Sequence, residues 1–295
     1  MPAPDKTEKQ SRQSRPDIGS HLADSLETSG RAWRKRLKQC CRHLSEGSVH
    51  ELRIETRRLL ALLNSLRALL GKDAIKPPRK YLTELFHRFS KLRDTHVLLL
   101  SVKESMTEFP SLKEFRSSLT KREQKVGKRL GKALAELHAG HLTKLLGSTR
   151  KALKTALAKT DAGTLRRVFS KAAHDAFAVV STVARGCKAN DIATIHAMRI
   201  AFKEFRYLVE MLHPALPLVT AGHLEAMHAF QTRMGEIQDD DIMLEALDAF
   251  KRKKPKSAAI IHPFRAEILR RRATVVRSVL ENRRRLAAFR PSHGR

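Results

Sequence analysis

Apolar residues recur at helical spacing in nearly every segment of the chain from about residue 21 onward. Alternating strand patterns and Asn-Gly or Asp-Gly hairpin turns are absent. The pattern predicts an all-α fold of about eight long helices. We place the breaks between helices at SEGS (45–48), GKDAIKPP (71–78), FPS (109–111), TDAG (160–163), GCKAND (186–191), HPALP (213–217) and KRKKPK (251–256).

Two pairs of segments are similar to each other at almost the same distance along the chain. VHELRIETRRLLALLNSL (49–66) aligns with IHAMRIAFKEFRYLVEML (195–212), 146 residues later, and HRFSKLRDTHVLL (87–99) aligns with TRMGEIQDDDIML (232–244) at an offset of 145. The matched residues are His50 with His196, Arg53 with Arg199, Arg57 with Lys203, Arg88 with Arg233 and Asp94 with Asp239. Because the two matches follow one another in the same order and at nearly the same offset, they predict an internal duplication of a four-helix unit.

The duplication also gives the predicted domain organisation. We predict a disordered basic tail at residues 1–19, a first four-helix bundle at 20–160, a second at 161–289 and a short tail at 290–295.

The charge of the chain indicates the chemistry of its partner. The sequence has 59 Lys and Arg against 30 Asp and Glu, a formal charge of +29, and is 41% hydrophobic. A chain of this length can bury a large core, so the excess charge covers a folded surface and predicts a polyanionic partner. Three cysteines at no ligand spacing, with no signal-like or membrane-spanning apolar run, favour a reduced cytoplasmic protein that does not enter a membrane.

In each copy the basic residues form a ridge led by a histidine. His196, Arg199, Lys203 and Arg206 fall within an arc of about 80° on a helix, and His50, Arg53 and Arg57 within about 60°. At 1.5 Å per residue the second ridge is about 15 Å long, enough for several phosphates of a chain.

These segments resemble the CHAD family, the conserved histidine α-helical domain. The resemblance depends on the H-x-x-R-x-x-x-[KR] pattern in both copies, on Arg206-Tyr207, and on the helices containing Arg93-Asp94 and Asp239. It implies two four-helix bundles related by a pseudo-two-fold axis that bind inorganic polyphosphate in a central basic groove, often at polyphosphate granules. It implies no cofactor. The chain lacks the E-x-E-x-K motif of the triphosphatase domain found beside CHAD in some relatives, so we expect a binding protein and not an enzyme.

The two copies differ, so we expect an asymmetric groove. Leu60 aligns with Arg206, and Gln238 aligns with Arg93, while Arg58 adds a charge to the first ridge. Basic residues of 119–134, including Lys121, and of 264–277 form the predicted opposite wall. The complete predicted set of polyphosphate ligands is His50, Arg53, Arg57, Arg58, Arg88, Arg122, Lys125, Arg129, His196, Arg199, Lys203, Arg206, Arg233, Arg265 and Arg272.

Several alternatives remain open at this stage. His50 and His196 either contact the ligand or hydrogen-bond structurally at the bundle edge, and we interpret Asp94 and Asp239 as groups that hold a ridge arginine or cap a turn. A nucleic-acid-binding protein is the alternative function, but aromatic residues are only 5% of the chain, so we expect weak, salt-sensitive binding as a side activity. A metal-dependent phosphohydrolase is disfavoured, because His174-Asp175 is a short motif and the carboxylates of 239–241 point apart on a helix.

Overall fold

Nine α-helices make up most of the residues that the computed structural model describes, 16–135 and 139–292. They are α1 (Ile18–Arg42), α2 (Glu46–Leu70), α3 (Lys76–Ser105), α4 (Lys113–Ala135), α5 (Ala139–Leu157), α6 (Ala162–Arg185), α7 (Ile192–Leu212), α8 (Ala221–Lys253) and α9 (Ala258–Asn282). Short 3-10 helices span Pro110–Leu112, Pro255–Ser257 and Arg283–Phe289. These described residues form no strand, and the all-α prediction is confirmed.

Polar side chains at the predicted breaks begin the helices. Asp17, Asp161 and Thr220 each accept a hydrogen bond from a backbone N–H in the first turn of the helix that follows. Ser45 begins α2 through a capping box. Gly71 ends α2 with φ of +77°, a conformation that a residue with a side chain rarely adopts. The predicted breaks therefore coincide with the observed helix ends.

One helix end was not predicted. No break was expected between residues 112 and 159, whereas α4 ends at Ala135 and α5 begins at Ala139. Residues 136–138 lie outside the described part of the chain. The first half of the chain consequently contains α1 to α5, and the second half contains α6 to α9.

The core joins the two halves. The larger of two hydrophobic clusters contains Trp33 of α1, Leu59 of α2 and Phe202 of α7, all fully buried. The smaller cluster contains Phe115 of α4 and Phe264 of α9, together with parts of α3 and α8. In addition, α2 packs directly against α7, and α3 packs against α8. The helices that carry the two basic ridges are therefore neighbours.

The helix starts follow the spacing that a duplication requires. Helices α1 to α4 begin at residues 18, 46, 76 and 113, and α6 to α9 begin at 162, 192, 221 and 258, which is 144 to 146 residues later. The duplication itself, like the division at residues 160 and 161, stays a prediction. The predicted N-terminal tail falls mostly on residues outside the described part, but Ile18 and Gly19 already belong to α1.

Candidate anion-binding site

Four cationic side chains lie close together where α2 packs against α7. Arg53 and Arg57 are one turn apart on α2, and Arg199 and Lys203 are one turn apart on α7. All four are half-buried. The charge of Arg57 lowers the pKa of each of the other three, so it acts across the junction between the two helices. We call these four residues the cationic cluster.

Burial and mutual repulsion make the charged form of the cationic cluster unfavourable. Burial, followed by the charge of Arg57, lowers the pKa of Arg53 to about 10. Burial, followed by the charges of Arg199 and Arg57, lowers the pKa of Lys203 to about 8. Burial is also the main cause that lowers the pKa of Arg199. An anion placed among these groups would stabilise their charged forms and would offset both the burial and the repulsion between them.

None of the four cations forms an ion pair with a described residue. Arg53 donates from Nη1 to the Phe86 carbonyl at 3.0 Å and to Ser90 Oγ at 3.2 Å, and its guanidinium lies 3.9 Å from the centroid of the Phe86 ring. Arg57 donates to a carbonyl of its own helix at 3.4 Å. The Nε atom of Arg199 is buried without a hydrogen-bond partner. This buried donor is therefore available for a hydrogen bond to an anion.

Two carboxylates lie near the cationic cluster in equivalent positions. Burial raises the pKa of Asp94 and of Asp239, and the charges that oppose this rise most are those of Arg53 for Asp94 and of Arg199 for Asp239. Neither carboxylate forms an ion pair with the residues that the structure describes. The charges of Asp94 and Asp239 therefore act on the arginines through space. Neither side chain makes a hydrogen bond to a described residue, so neither the predicted hold on a ridge arginine nor the predicted cap of a turn is observed.

Arg93 of α3 is a site residue that the sequence reasoning did not include among the ligands. It is half-buried, forms an ion pair with Glu46, and its charge lowers the pKa of His50, Arg53 and Asp239. It therefore lies near both α2 and α8. The sequence pattern does not connect the charge of Arg93 to the ridge, because Arg93 lies on a separate helix, α3.

The two histidines have different surroundings. His50 is half-buried, its Nδ1 atom has no hydrogen-bond partner, and burial followed by the charge of Arg93 lowers its pKa. His196 is exposed in the first turn of α7. The charges of Arg93 and Arg57 therefore act on His50, and the two histidines differ in exposure and are not an equivalent pair.

Arg206 requires a correction. It is 5% exposed, donates from Nε to Gln231 at 2.8 Å, and forms an ion pair with Glu210 at 2.9 Å. Its guanidinium also lies 4.4 Å from the centroid of the Tyr207 ring. Because these contacts occupy the guanidinium inside the fold, we remove Arg206 from the proposed ligands.

Four further predicted ligands are already in intramolecular ion pairs. The structure pairs Arg58 with Glu55, Arg233 with Glu236, Arg265 with Asp248, and Arg272 with Asp241. A paired guanidinium would have to exchange its carboxylate for a phosphate, so these residues are weaker candidates than the cationic cluster. The exposed Arg88 has no ion-pair partner among the described residues.

The predicted basic face of α4 is present as an exposed surface. Its residues form no ion pair with any described residue, and the charge of Arg122 lowers the pKa of Asp94. This basic face consists of Lys121, Arg122, Lys125, Lys128, Arg129 and Lys132. Through Arg122, one part of this basic face therefore lies near Asp94.

A pocket of about 350 Å³ adjoins the other side of the cationic cluster, between α2, α3, α6 and α7. Its charged lining residues are Arg57, Arg67, Arg79, Lys203 and Glu204. Its walls include Phe86 and Tyr207, so it combines apolar rings with cations. The sequence reasoning did not find this pocket, because its lining comes from four helices.

The carboxylates and histidines considered for metal catalysis are held apart. Asp240 pairs with Arg271 and Asp241 pairs with Arg272, while Asp175 pairs with Lys171 at 2.6 Å. Among the described residues, no three His, Cys, Asp or Glu side chains are grouped so that they could hold a metal ion. A search of the same residues for a helix long and apolar enough to cross a membrane found none.

The fold and the site together define an all-α protein with unpaired cations at the junction of its two halves. The family model of the CHAD domain matches residues 25–248, which is most of the chain, and the chain belongs to the CHAD domain family. The crystal structure of the CHAD domain from the plant Ricinus communis is similar over 98% of this chain and 99% of that one, with 18% identity and a TM-score of 0.72. PptA from Streptomyces chartreusis is similar over 92% of this chain and 100% of that one, with 14% identity and a TM-score of 0.64. The search of curated proteins found no matching sequence.

Proposed function

We propose that this protein binds inorganic polyphosphate at the cationic cluster, and that the basic face of α4 extends the binding surface. The main support is the arrangement of Arg53, Arg57, Arg199 and Lys203, four half-buried cations on two packed helices that form no ion pair with a described residue. A flexible polyanion can contact all of them through charge-assisted hydrogen bonds, and it releases counterions when it binds.

The geometry favours a chain of phosphates over a single small anion. The cluster involves both α2 and α7, and the exposed cations of α4 continue it past Asp94. One phosphate reaches only a few of these groups, whereas successive phosphates of a chain can reach them in turn. Membership of the CHAD family adds the expectation of association with polyphosphate granules in the cytoplasm.

The proposal is one of binding without catalysis. The buried carboxylate of Asp240 is held by Arg271, and His174 Nδ1 donates to the Ser170 carbonyl at 2.8 Å within its own helix. These contacts give the acidic and histidine side chains structural partners and do not bring them together around a reacting group.

Nucleic acid is the competing polyanion, and a direct comparison tests the proposal. The test measures binding of long-chain polyphosphate, single-stranded DNA and duplex DNA at one physiological salt concentration, because each phosphate contact makes binding more sensitive to salt. We expect polyphosphate to bind more tightly than either DNA. Equal affinities for all polyanions would contradict a specific polyphosphate site.

A matched pair of variants locates the site. Arg199→Ala/Lys203→Ala removes two charges from the cationic cluster, and Lys151→Ala/Lys154→Ala removes two exposed charges from α5 that are not among the predicted ligands. We expect the first variant to weaken polyphosphate binding at least about tenfold and the second to have a much smaller effect. Equal losses would indicate diffuse attraction to the total charge.

A further inference from the structure

The pocket beside the cationic cluster has features that a bare polyphosphate cannot use. Leu60 and Leu208 supply aliphatic walls, and Phe86 and Tyr207 supply aromatic rings. Phosphate chains gain nothing from apolar walls. Glu204 also lines the pocket and would repel a phosphate, whereas Arg57, Arg67, Arg79 and Lys203 would attract one. The pocket therefore fits a ligand that carries an apolar, hydrogen-bonding group at the end of an anionic chain.

Two unpaired polar side chains add directional hydrogen bonding inside the pocket. The side chains of Asn64 and Thr83 line it and make no hydrogen bond to a described residue. An amide presents one acceptor and two donors, which is the combination that reads the edge of a nucleobase. Arg53 covers one face of the Phe86 ring and Arg206 covers one face of the Tyr207 ring, so a base would stack on the opposite face or against a ring edge. A carboxylate such as Glu204 can accept from ribose hydroxyls.

The size and position of the pocket agree with this chemistry. A volume of about 350 Å³ lies within the range of small-ligand sites, which is about 300–1,000 Å³. Arg57 and Lys203 belong both to the pocket and to the cationic cluster. A group bound in the pocket would thus direct an attached phosphate chain onto the cluster.

We propose that this pocket binds the nucleoside of a nucleoside polyphosphate, with the base between the aromatic and aliphatic walls and the phosphates at Arg57 and Lys203. The inference rests on the proposed function, because it uses the same cationic cluster for the phosphates. It adds a second ligand class to the site and makes the site responsive to nucleotides.

The test compares ATP and GTP with inorganic tripolyphosphate by calorimetry at fixed salt, without added metal. The phosphate chains are alike in length, so the difference in affinity reports the nucleoside. We expect at least one nucleotide to bind about fivefold or more tightly than tripolyphosphate, since base stacking and hydrogen bonds contribute about 1–3 kcal/mol. Equal affinities for all three ligands would overturn the proposal.

Two variants locate the nucleoside. Ala176→Phe fills the pocket from α6, and Asn64→Leu removes the amide at similar size, with Ala273→Phe on the exposed face of α9 as the control. We expect both pocket variants to remove the nucleotide advantage while long-chain polyphosphate still binds, and the control to keep it. A nucleotide advantage that persists in the folded pocket variants would place the nucleoside elsewhere and overturn the inference.

The two proposals fail in different ways. Wild-type protein that binds long-chain polyphosphate but does not distinguish ATP and GTP from tripolyphosphate would overturn the nucleoside pocket alone. Wild-type protein that does not bind polyphosphate would overturn the proposed function. If Ala176→Phe does not fold, as judged by circular dichroism, Asn64→Leu still decides the test.

Discussion

At the scale of single residues, Lys203 makes polyphosphate binding dependent on pH. Its pKa is about 8 in the free protein, and a bound polyanion favours the charged amine. We expect proton uptake on binding, and an affinity that falls up to about tenfold as the pH rises from 8 to 9. Calorimetry in two buffers of different ionisation enthalpy measures both effects. Lys203→Arg keeps its charge over this range, so an unchanged pH dependence in that variant would contradict the prediction.

The same residue should reduce the stability of the free protein. The pKa of Lys203 falls from 10.5 to about 8 on folding, so between these values the unfolded state binds more protons and stability rises with pH. At pH 7 the full cost is present. We therefore expect Lys203→Met to raise the Tm of the free protein by about 2–4 °C while weakening polyphosphate binding. A thermal shift assay at pH 7 without ligand measures the Tm, and a decrease would contradict the prediction.

Arg206 should affect stability and not ligand binding. Its guanidinium is buried against Gln231 and Glu210, and its loss would leave those partners without their donor. Because Glu210 is half-exposed and water can replace part of the contact, we expect Arg206→Met to cost about 1–3 kcal/mol of stability. Urea denaturation measures this loss. Calorimetry should show unchanged polyphosphate affinity, and a large loss of affinity in folded protein would return Arg206 to the ligands.

The difference between Arg206 and its neighbours shows what a helical wheel can predict. The wheel placed Arg199, Lys203 and Arg206 on one face of α7, and the first two do belong to the cationic cluster. The direction of a side chain follows from helical geometry, but the residues that a neighbouring helix brings to it do not. Gln231 of α8 reaches Arg206 through tertiary packing, and no local pattern in α7 indicates this contact.

At the scale of elements, the basic face of α4 should add affinity for long chains. Lys121, Lys125 and Lys128 are exposed and form no ion pair with a described residue. We expect their combined replacement by glutamine to weaken binding of long chains and to reduce the slope of log affinity against log salt by about 2, at about 0.7 per phosphate contact. Tripolyphosphate, which is too short to reach from the cluster along α4, should bind as in the wild type.

A control on another helix separates the effect of where the lysines lie from the effect of the total charge. Lys144, Lys151 and Lys154 of α5 are also exposed, and α5 packs against α1, α2 and α3. Glutamine at these three positions changes the net charge equally. If both triple variants lose long-chain affinity to the same extent, α4 has no special role in binding.

The helices themselves were largely predictable, because local signals decide where they begin and end. Ser45 and Asp161 cap helices within breaks that the sequence indicated, and Thr220 caps α8 three residues after such a break. The separation of α4 from α5 was missed because a window of good helix formers contains no such signal. The pocket was missed for a different reason: Asn64, Thr83 and Glu204 come from three helices whose relative placement is set by packing.

At the scale of the whole molecule, the core and the cationic cluster both combine the two halves. The larger hydrophobic cluster contains side chains from α1 to α9, and the charge of Arg57 on α2 acts on Arg199 and Lys203 of α7. In the free protein the charges repel each other across this junction, whereas the apolar side chains hold it together. A bound polyanion is attracted by the cations on both helices and offsets the repulsion between them. It should therefore stabilise the junction and the shared core as one unit.

This coupling predicts one cooperative unfolding transition that shifts as a whole when polyphosphate binds. A ligand at 100 times its Kd stabilises the folded state by about 2.7 kcal/mol, which for a chain of this size corresponds to a rise in Tm of about 5 °C. Differential scanning calorimetry with and without long-chain polyphosphate measures the shift. In Arg199→Ala/Lys203→Ala the shift should fall to about half or less, because binding that is at least about tenfold weaker leaves the same ligand concentration at about 10 times Kd or below. Two separate transitions, with only one responding to polyphosphate, would mean that the halves unfold independently and that the ligand does not join them.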